Sequence, residues 1–139
     1  MTQIPYELEE RLPTVAEHRA LWEAVGWGTA NVAMTGPSLA RSLHGVVIRC
    51  GEDIVGMGRI VGDGAMYYYI QDVAVLPAHQ GKGLGLRIMD NLLAYVESHC
   101  EGAGFVGLFA SHGNDSFYRR FGFANYAPGM TGMFKVLGE

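Results

Sequence analysis

Gln80-Gly81-Lys82-Gly83-Leu84-Gly85 is the stretch from which the rest of this 139-residue chain is read. Before it runs Met66-Tyr67-Tyr68-Tyr69-Ile70-Gln71-Asp72-Val73-Ala74-Val75, rich in aromatic and β-branched residues, which predicts a strand. After it, apolar residues at helical spacing predict an amphipathic helix over residues 84–98. Leu84, Leu86, Ile88, Met89, Leu92, Leu93, Tyr95 and Val96 form its wide apolar side, and Arg87, Asp90, Asn91, Ala94, Glu97 and Ser98 a largely polar stripe. A glycine-rich turn that opens a helix leaves backbone N–H groups without helical acceptors. With the positive end of the helix dipole, those donors suit a phosphate or pyrophosphate. Glycine lets such a ligand approach the backbone closely.

The elements around this core unit are predicted in turn. Residues 4–11 read as a first strand. Thr14 and Glu17 match a capping box, opening a helix to about Val25 that Gly26 stops. A short helix is predicted over residues 37–43, with Pro37 at its start. Residues 46–50 and 54–61 read as a hairpin around Gly51-Glu52-Asp53. Residues 105–110 form a continuous apolar run, which predicts a buried strand. A short helix follows from Asn114 to Phe121, stopped by Gly122, and a last strand is expected over residues 132–137. The expected fold is α/β (α+β), a single domain over residues 1–139 with a βαβ unit carrying the glycine turn.

Composition narrows the function classes. Apolar residues make up 49% and charged residues 17%, which excludes a disordered chain. The net charge of −4 disfavours tight nonspecific binding to nucleic acid. The first ten residues carry neither an apolar signal core nor a basic leader, and no stretch is long and apolar enough to span a bilayer. Cys50 and Cys100 lack metal-ligand spacing and read as free thiols. A cytoplasmic protein without a metal is the expectation.

Nucleotide motifs compete for the turn. A P-loop needs Gly-Lys-Ser/Thr, which is missing. A dinucleotide fingerprint needs a glycine where Leu86 stands. What remains is Gln-x-x-Gly-x-Gly after a strand ending Val-Ala-Val-Leu-Pro. This stretch resembles the GNAT superfamily of acyl-CoA-dependent N-acyltransferases. A second stretch, Asn114-Asp115-Ser116-Phe117-Tyr118-Arg119-Arg120-Phe121-Gly122-Phe123, reads Asn-x-x-x-Tyr-x-x-x-Gly-Phe and is similar to the family's second signature, an Asn followed by Tyr-x-x-x-Gly-Phe.

The resemblance implies a mixed, mostly antiparallel central sheet flanked by helices and an acetyl-CoA-binding βαβ unit. It implies that Gln80, Gly81, Lys82, Gly83, Leu84, Gly85 and Leu86 hold the CoA pyrophosphate. It implies that the backbones of Val73, Ala74 and Val75 bind the thioester arm, and that Asn114, Phe117 and Tyr118 face the donor. Tyr118 is then the general acid. A thiol titrates near about 8.5 and a phenol near about 10, so a positioned phenol can protonate or hydrogen-bond the leaving sulfur. The alternative for Tyr118 is an aromatic core role, and for Asn114 a helix cap. Asp72 is the preferred base or amine anchor; Gln71, His79 and His112 are the other polar candidates. Strand alternation is expected to place Gln71 and Asp72 on opposite faces, and His79 in an exposed turn.

For the acceptor, Trp22, Trp27, Tyr67 and Tyr69 could line an aromatic pocket, although Trp22 reads better as core. Arg41, Arg49 and Arg59 read as solvated surface or as contacts for an acidic acceptor. The activity implied is acetyl transfer from acetyl-CoA to an amine by direct attack in a ternary complex. Cys50 and Cys100 lie outside both signatures, which disfavours an acyl-cysteine intermediate. A small-molecule amine is preferred over a protein, and a homodimer is possible. A non-catalytic acyl-CoA sensor and a transferase acting on protein amines are the alternatives.

Overall fold

The structure is a computed structural model and describes residues 4–111 and 113–138. It falls into two compact units, Met1–Gly107 and Leu108–Glu139. The first unit is built on five strands: β1 (Tyr6–Glu9), β2 (His44–Cys50), β3 (Asp53–Gly62), β4 (Tyr67–Val75) and β5 (Phe105–Gly107). They lie in the order β1-β2-β3-β4-β5. The first three pairings are antiparallel and β4–β5 is parallel, so the sheet is mixed and mostly antiparallel, as expected. The parallel step is made by helix α3 (Leu84–His99), which returns the chain to the same sheet.

Helices cover both faces. On one side lies α1 (Val15–Ala24), whose buried Leu21 joins Val47, Met57 and Ala74 in one core cluster. The capping box that opens α1 forms as expected. Glu17 N–H donates to Thr14 Oγ1 at 3.1 Å, and Thr14 N–H donates to Glu17 Oε1 at 2.9 Å. On the other side α3 buries Leu84, Ile88, Met89, Leu92 and Val96. It approaches the sheet closely at Gly58, where a Cβ would stand 2.6 Å from Ile88 Cγ2 and 3.1 Å from Leu92 Cδ1. That glycine in β3 is therefore a packing requirement of the helix.

Three expectations are corrected. Helix α2 runs Val32–Ala40, not residues 37–43. Asn31 caps it by accepting from Met34 N–H, and Pro37 lies inside it. The apolar run at residues 105–110 gives only the three-residue β5, an edge strand with Phe105 exposed. No strand forms over residues 132–137; Met133, Phe134, Val136 and Leu137 are exposed. In the second unit, α4 covers Asp115–Arg119, shorter than expected. Gly122, at φ 91, follows the helix end as the sequence suggests.

Candidate active site

The glycine turn forms as read. A short 3-10 turn, Pro77–His79, leaves β4 and leads into Gln80. Gly81 and Gly83 both adopt left-handed backbone, with φ 77 and 78. A Cβ on either would meet no atom within 4 Å, so the glycines serve backbone conformation and leave open space beside the turn. Gly83 is the N-cap of α3 and supplies no capping side chain. The first helical bond is Arg87 N–H to Gly83 O at 3.2 Å, so the N–H groups of Leu84, Gly85 and Leu86 have no partner within the helix. No acidic residue stands in this first turn to compete for them. The cradle is suited to an anion.

The turn is tied to its surroundings. Gln80 Nε2 donates to Val75 O at 3.0 Å, which joins the turn to the end of β4. His79 is half-buried rather than exposed: its Nδ1 lies 2.8 Å from the Tyr6 hydroxyl. Arg87 Nη1 reaches Tyr6 O at 3.4 Å, so β1 braces both ends of the turn.

Within β4 the chain departs from simple alternation. Met57 pairs with Ala74 but Arg59 pairs with Gln71, so Asp72 and Val73 together oppose Gly58. This is a β-bulge. Asp72 adopts φ 57, alone among the described non-glycine residues in the left-handed region. The bulge overturns the expectation that Gln71 and Asp72 face opposite ways: Gln71 Nε2 donates to Asp72 Oδ1 at 3.1 Å. Asp72 Oδ2 lies 2.9 Å from His18 Nε2 and accepts from Arg59 Nε at 2.9 Å. The carboxylate of Asp72 acts only as an acceptor when ionised, so His18 donates from Nε2. Its Nδ1 is buried with no partner among the described residues. The space lined by Pro13, His18, Met57, Gly58, Arg59 and Asp72 is too narrow for a water molecule.

His18 and Arg59 are the site residues that sequence reading missed or misjudged. Arg59 is buried rather than solvated, and its Nη1 donates to Ser38 O, Ser38 Oγ and Ser42 Oγ. Arg49 is also engaged, donating to Glu9 at 2.6 Å, whereas Arg41 is exposed. Arg49 and then Arg11 hold the Glu9 carboxyl below the usual carboxylate range. Trp22 stacks on His18 with ring centroids 5.5 Å apart and meets Trp27 edge-on at 5.2 Å. No local pattern announces the His18–Asp72 contact, because its partners are 54 residues apart.

Asn114, Phe117 and Tyr118 belong to the second unit. Asn114 stands at the N-cap of α4, but its side chain makes no capping bond. Its carbonyl accepts from Tyr118 N–H at 3.3 Å. Tyr118 is half-buried, meeting Phe117 edge-on at 5.0 Å and Phe123 at 6.4 Å. Burial pushes its phenol above the ordinary tyrosine value, so it holds its proton firmly. His112 lies outside the described residues. Among those residues no cluster of three or more His, Cys, Asp or Glu could hold a metal ion, and no helix is long and apolar enough to cross a membrane.

Comparisons with known proteins agree with this architecture. The family model described as an acetyltransferase (GNAT) domain matches residues 41–125, well over half of the chain. A soybean (Glycine max) relative named histone acetyltransferase TAP1 is 30% identical over 131 residues, covering 86% of this chain and 56% of that protein. The chain spans about half the length of the curated relatives it matches, at 56%, 43% and 58% for three of them. A crystal structure of a Staphylococcus aureus protein of unknown function superposes with a TM-score of 0.90 at 28% identity, over 95% of this chain and 99% of that one. A GNAT family acetyltransferase from Brucella melitensis, solved in complex with acetyl-CoA, has the same fold at TM-score 0.66 and 24% identity, over 88% of this chain and 85% of that one. The glycine turn on α3, the mixed sheet behind it and the family match over most of the chain lead to one conclusion: this chain belongs to the GNAT family of acetyltransferases.

Proposed function

We propose that this protein transfers the acetyl group of acetyl-CoA to an amine by direct attack in a ternary complex. The observation that carries the reading is the open, glycine-lined start of α3, joined by Gln80 to the end of β4. Backbone donors from Gln80 to Leu86 hold the pyrophosphate, with Lys82 adding positive charge. The backbones of Val73, Ala74 and Val75 align the thioester arm and stabilise negative charge on its carbonyl oxygen. Asn114, Phe117 and Tyr118 contact the donor, and Tyr118 gives a proton to the leaving sulfur. Its burial, which favours the neutral phenol, supports that role. The acetyl-CoA bound to the Brucella melitensis neighbour supports the donor.

The Asp72 side chain is 3% exposed and its carboxylate already accepts from three side chains. That arrangement supports loss of the amine proton to water rather than to Asp72. Free Cys50 and Cys100 support a cytoplasmic location. A small-molecule amine is the acceptor we favour; the name of the soybean relative supports a second reading, acetylation of protein amines.

The test is acetyl-CoA consumption over phenethylamine, spermidine, glucosamine and lysine-containing peptides, with mass identification of products. Acetylated small amines are expected. Acetylated peptides alone would establish the second reading. Acetyl-CoA binding with no product from any amine would point to a sensor.

A further inference from the structure

We propose that His18 and Arg59 are positioning residues for the acetyl donor, acting through Asp72 on the bulge in β4. The inference rests on the reading above that Val73, Ala74 and Val75 align the thioester arm. Asp72 directly precedes that segment. Its backbone, at φ 57, is in a left-handed region that few residues other than glycine adopt and that asparagine and aspartate enter more often than the rest. A strand released from such a bulge regains even pairing, and the residues after it change direction. What opposes that release is the side chain. Both carboxylate oxygens are held: Oδ2 by His18 Nε2 and Arg59 Nε, each at 2.9 Å, and Oδ1 by Gln71 Nε2 at 3.1 Å.

The holders are themselves fixed from different elements. His18 comes from α1 and is 5% exposed. Arg59 comes from β3, opposite the bulge, and its Nη1 is bound by Ser38 in α2 and by Ser42 just beyond it. Two helices and a strand thus converge on the residue before Val73. A buried ion pair contributes little net stability compared with apolar packing of the same volume. A set of charges placed at a strained turn of backbone beside a donor-binding strand is better accounted for by the geometry it imposes.

The test separates the two halves of the donor by calorimetry. Acetyl-CoA engages both the glycine turn and β4, whereas 3′-phosphoadenosine 5′-diphosphate reaches only the turn. Asp72→Gly tolerates the left-handed backbone but removes every bond that locks it. It is expected to weaken acetyl-CoA by about tenfold or more while 3′-phosphoadenosine 5′-diphosphate stays within about twofold. Asp72→Asn, which keeps an acceptor oxygen and suits positive φ, is expected to restore most of the loss. His18→Ala, which removes one holder and leaves Arg59, is expected to show the same split at smaller size, and it decides the matter if Asp72→Gly does not fold. Equal loss for both probes, or unchanged acetyl-CoA affinity in the variants, would overturn the positioning role. Wild-type protein that binds neither probe would overturn the donor reading itself, and the inference with it.

Discussion

Gly83→Asp puts a negative side chain at the mouth of the glycine turn. The size of its effect can be worked from the structure. Gly83 lies at φ 78, and a left-handed non-glycine residue costs about 1–2 kcal/mol. The new Cβ meets no atom within 4 Å, so no steric cost is added to the protein itself. Thermal stability should fall by roughly 2–8 °C. Donor binding should suffer far more. A carboxylate about 5 Å from a doubly charged pyrophosphate repels it by roughly 2 kcal/mol in water-like surroundings, and by roughly 7 kcal/mol at an effective dielectric of about 20. The lower figure already weakens binding by about 20-fold or more. Calorimetry with acetyl-CoA reads this directly. Gly83→Lys carries the same backbone strain with the opposite charge and should bind markedly better than Gly83→Asp. The gap between the two should narrow as salt is added. Gly83→Asp protein that binds acetyl-CoA with wild-type affinity would refute the assignment of the turn.

Other outcomes follow from single contacts. Leu92→Ala, at a fully buried position of α3 packed over Gly58, should cost about 2–5 kcal/mol in denaturant unfolding. Thr14→Ala, which removes half of the capping box on α1, should cost about 1 kcal/mol by the same measurement. Tyr118→Phe should lower turnover while acetyl-CoA affinity measured by calorimetry stays the same; unchanged turnover would remove Tyr118 from the acid role. Burial raises the Tyr118 phenol, so the folded state holds this proton at pH values where the unfolded chain releases it. Its contribution to stability is therefore full below the ordinary tyrosine value near about 10 and is lost as the pH rises toward the raised folded value, which a pH series of melts with Tyr118→Phe as the reference would detect.

Much of the framework was legible because it depends on neighbours along the chain. The capping box at Thr14 and Glu17 spans three residues, and the structure makes both of its bonds. Of the wide apolar side read for α3, Leu84, Ile88, Met89, Leu92 and Val96 are buried, whereas Leu86, Leu93 and Tyr95 at its margins are only half-buried. Where two local signals compete, the reading slipped. Pro37 suggested a helix start, but the cap at Asn31 opened α2 earlier and the helix continued through the proline. The apolar residues at 132–137 suit a strand, yet a strand exists only where a partner supplies its hydrogen bonds, and none forms there.

The amino-acid sequence by itself determined the strand, the glycine turn and the helix of the βαβ unit, and through them the family. Glycine backbone freedom, capping and helical periodicity all act within a few residues, so they are written in order along the chain. The part played by Asp72 was decided only by tertiary structure. In the sequence it is one carboxylate on an alternating strand. Folding adds an extra residue to β4 opposite Gly58 and brings His18 from 54 positions away and Arg59 from 13. A buried charge takes its role from the donors that reach it, and those donors are chosen by the packing of α1, α2 and β3 around the bulge.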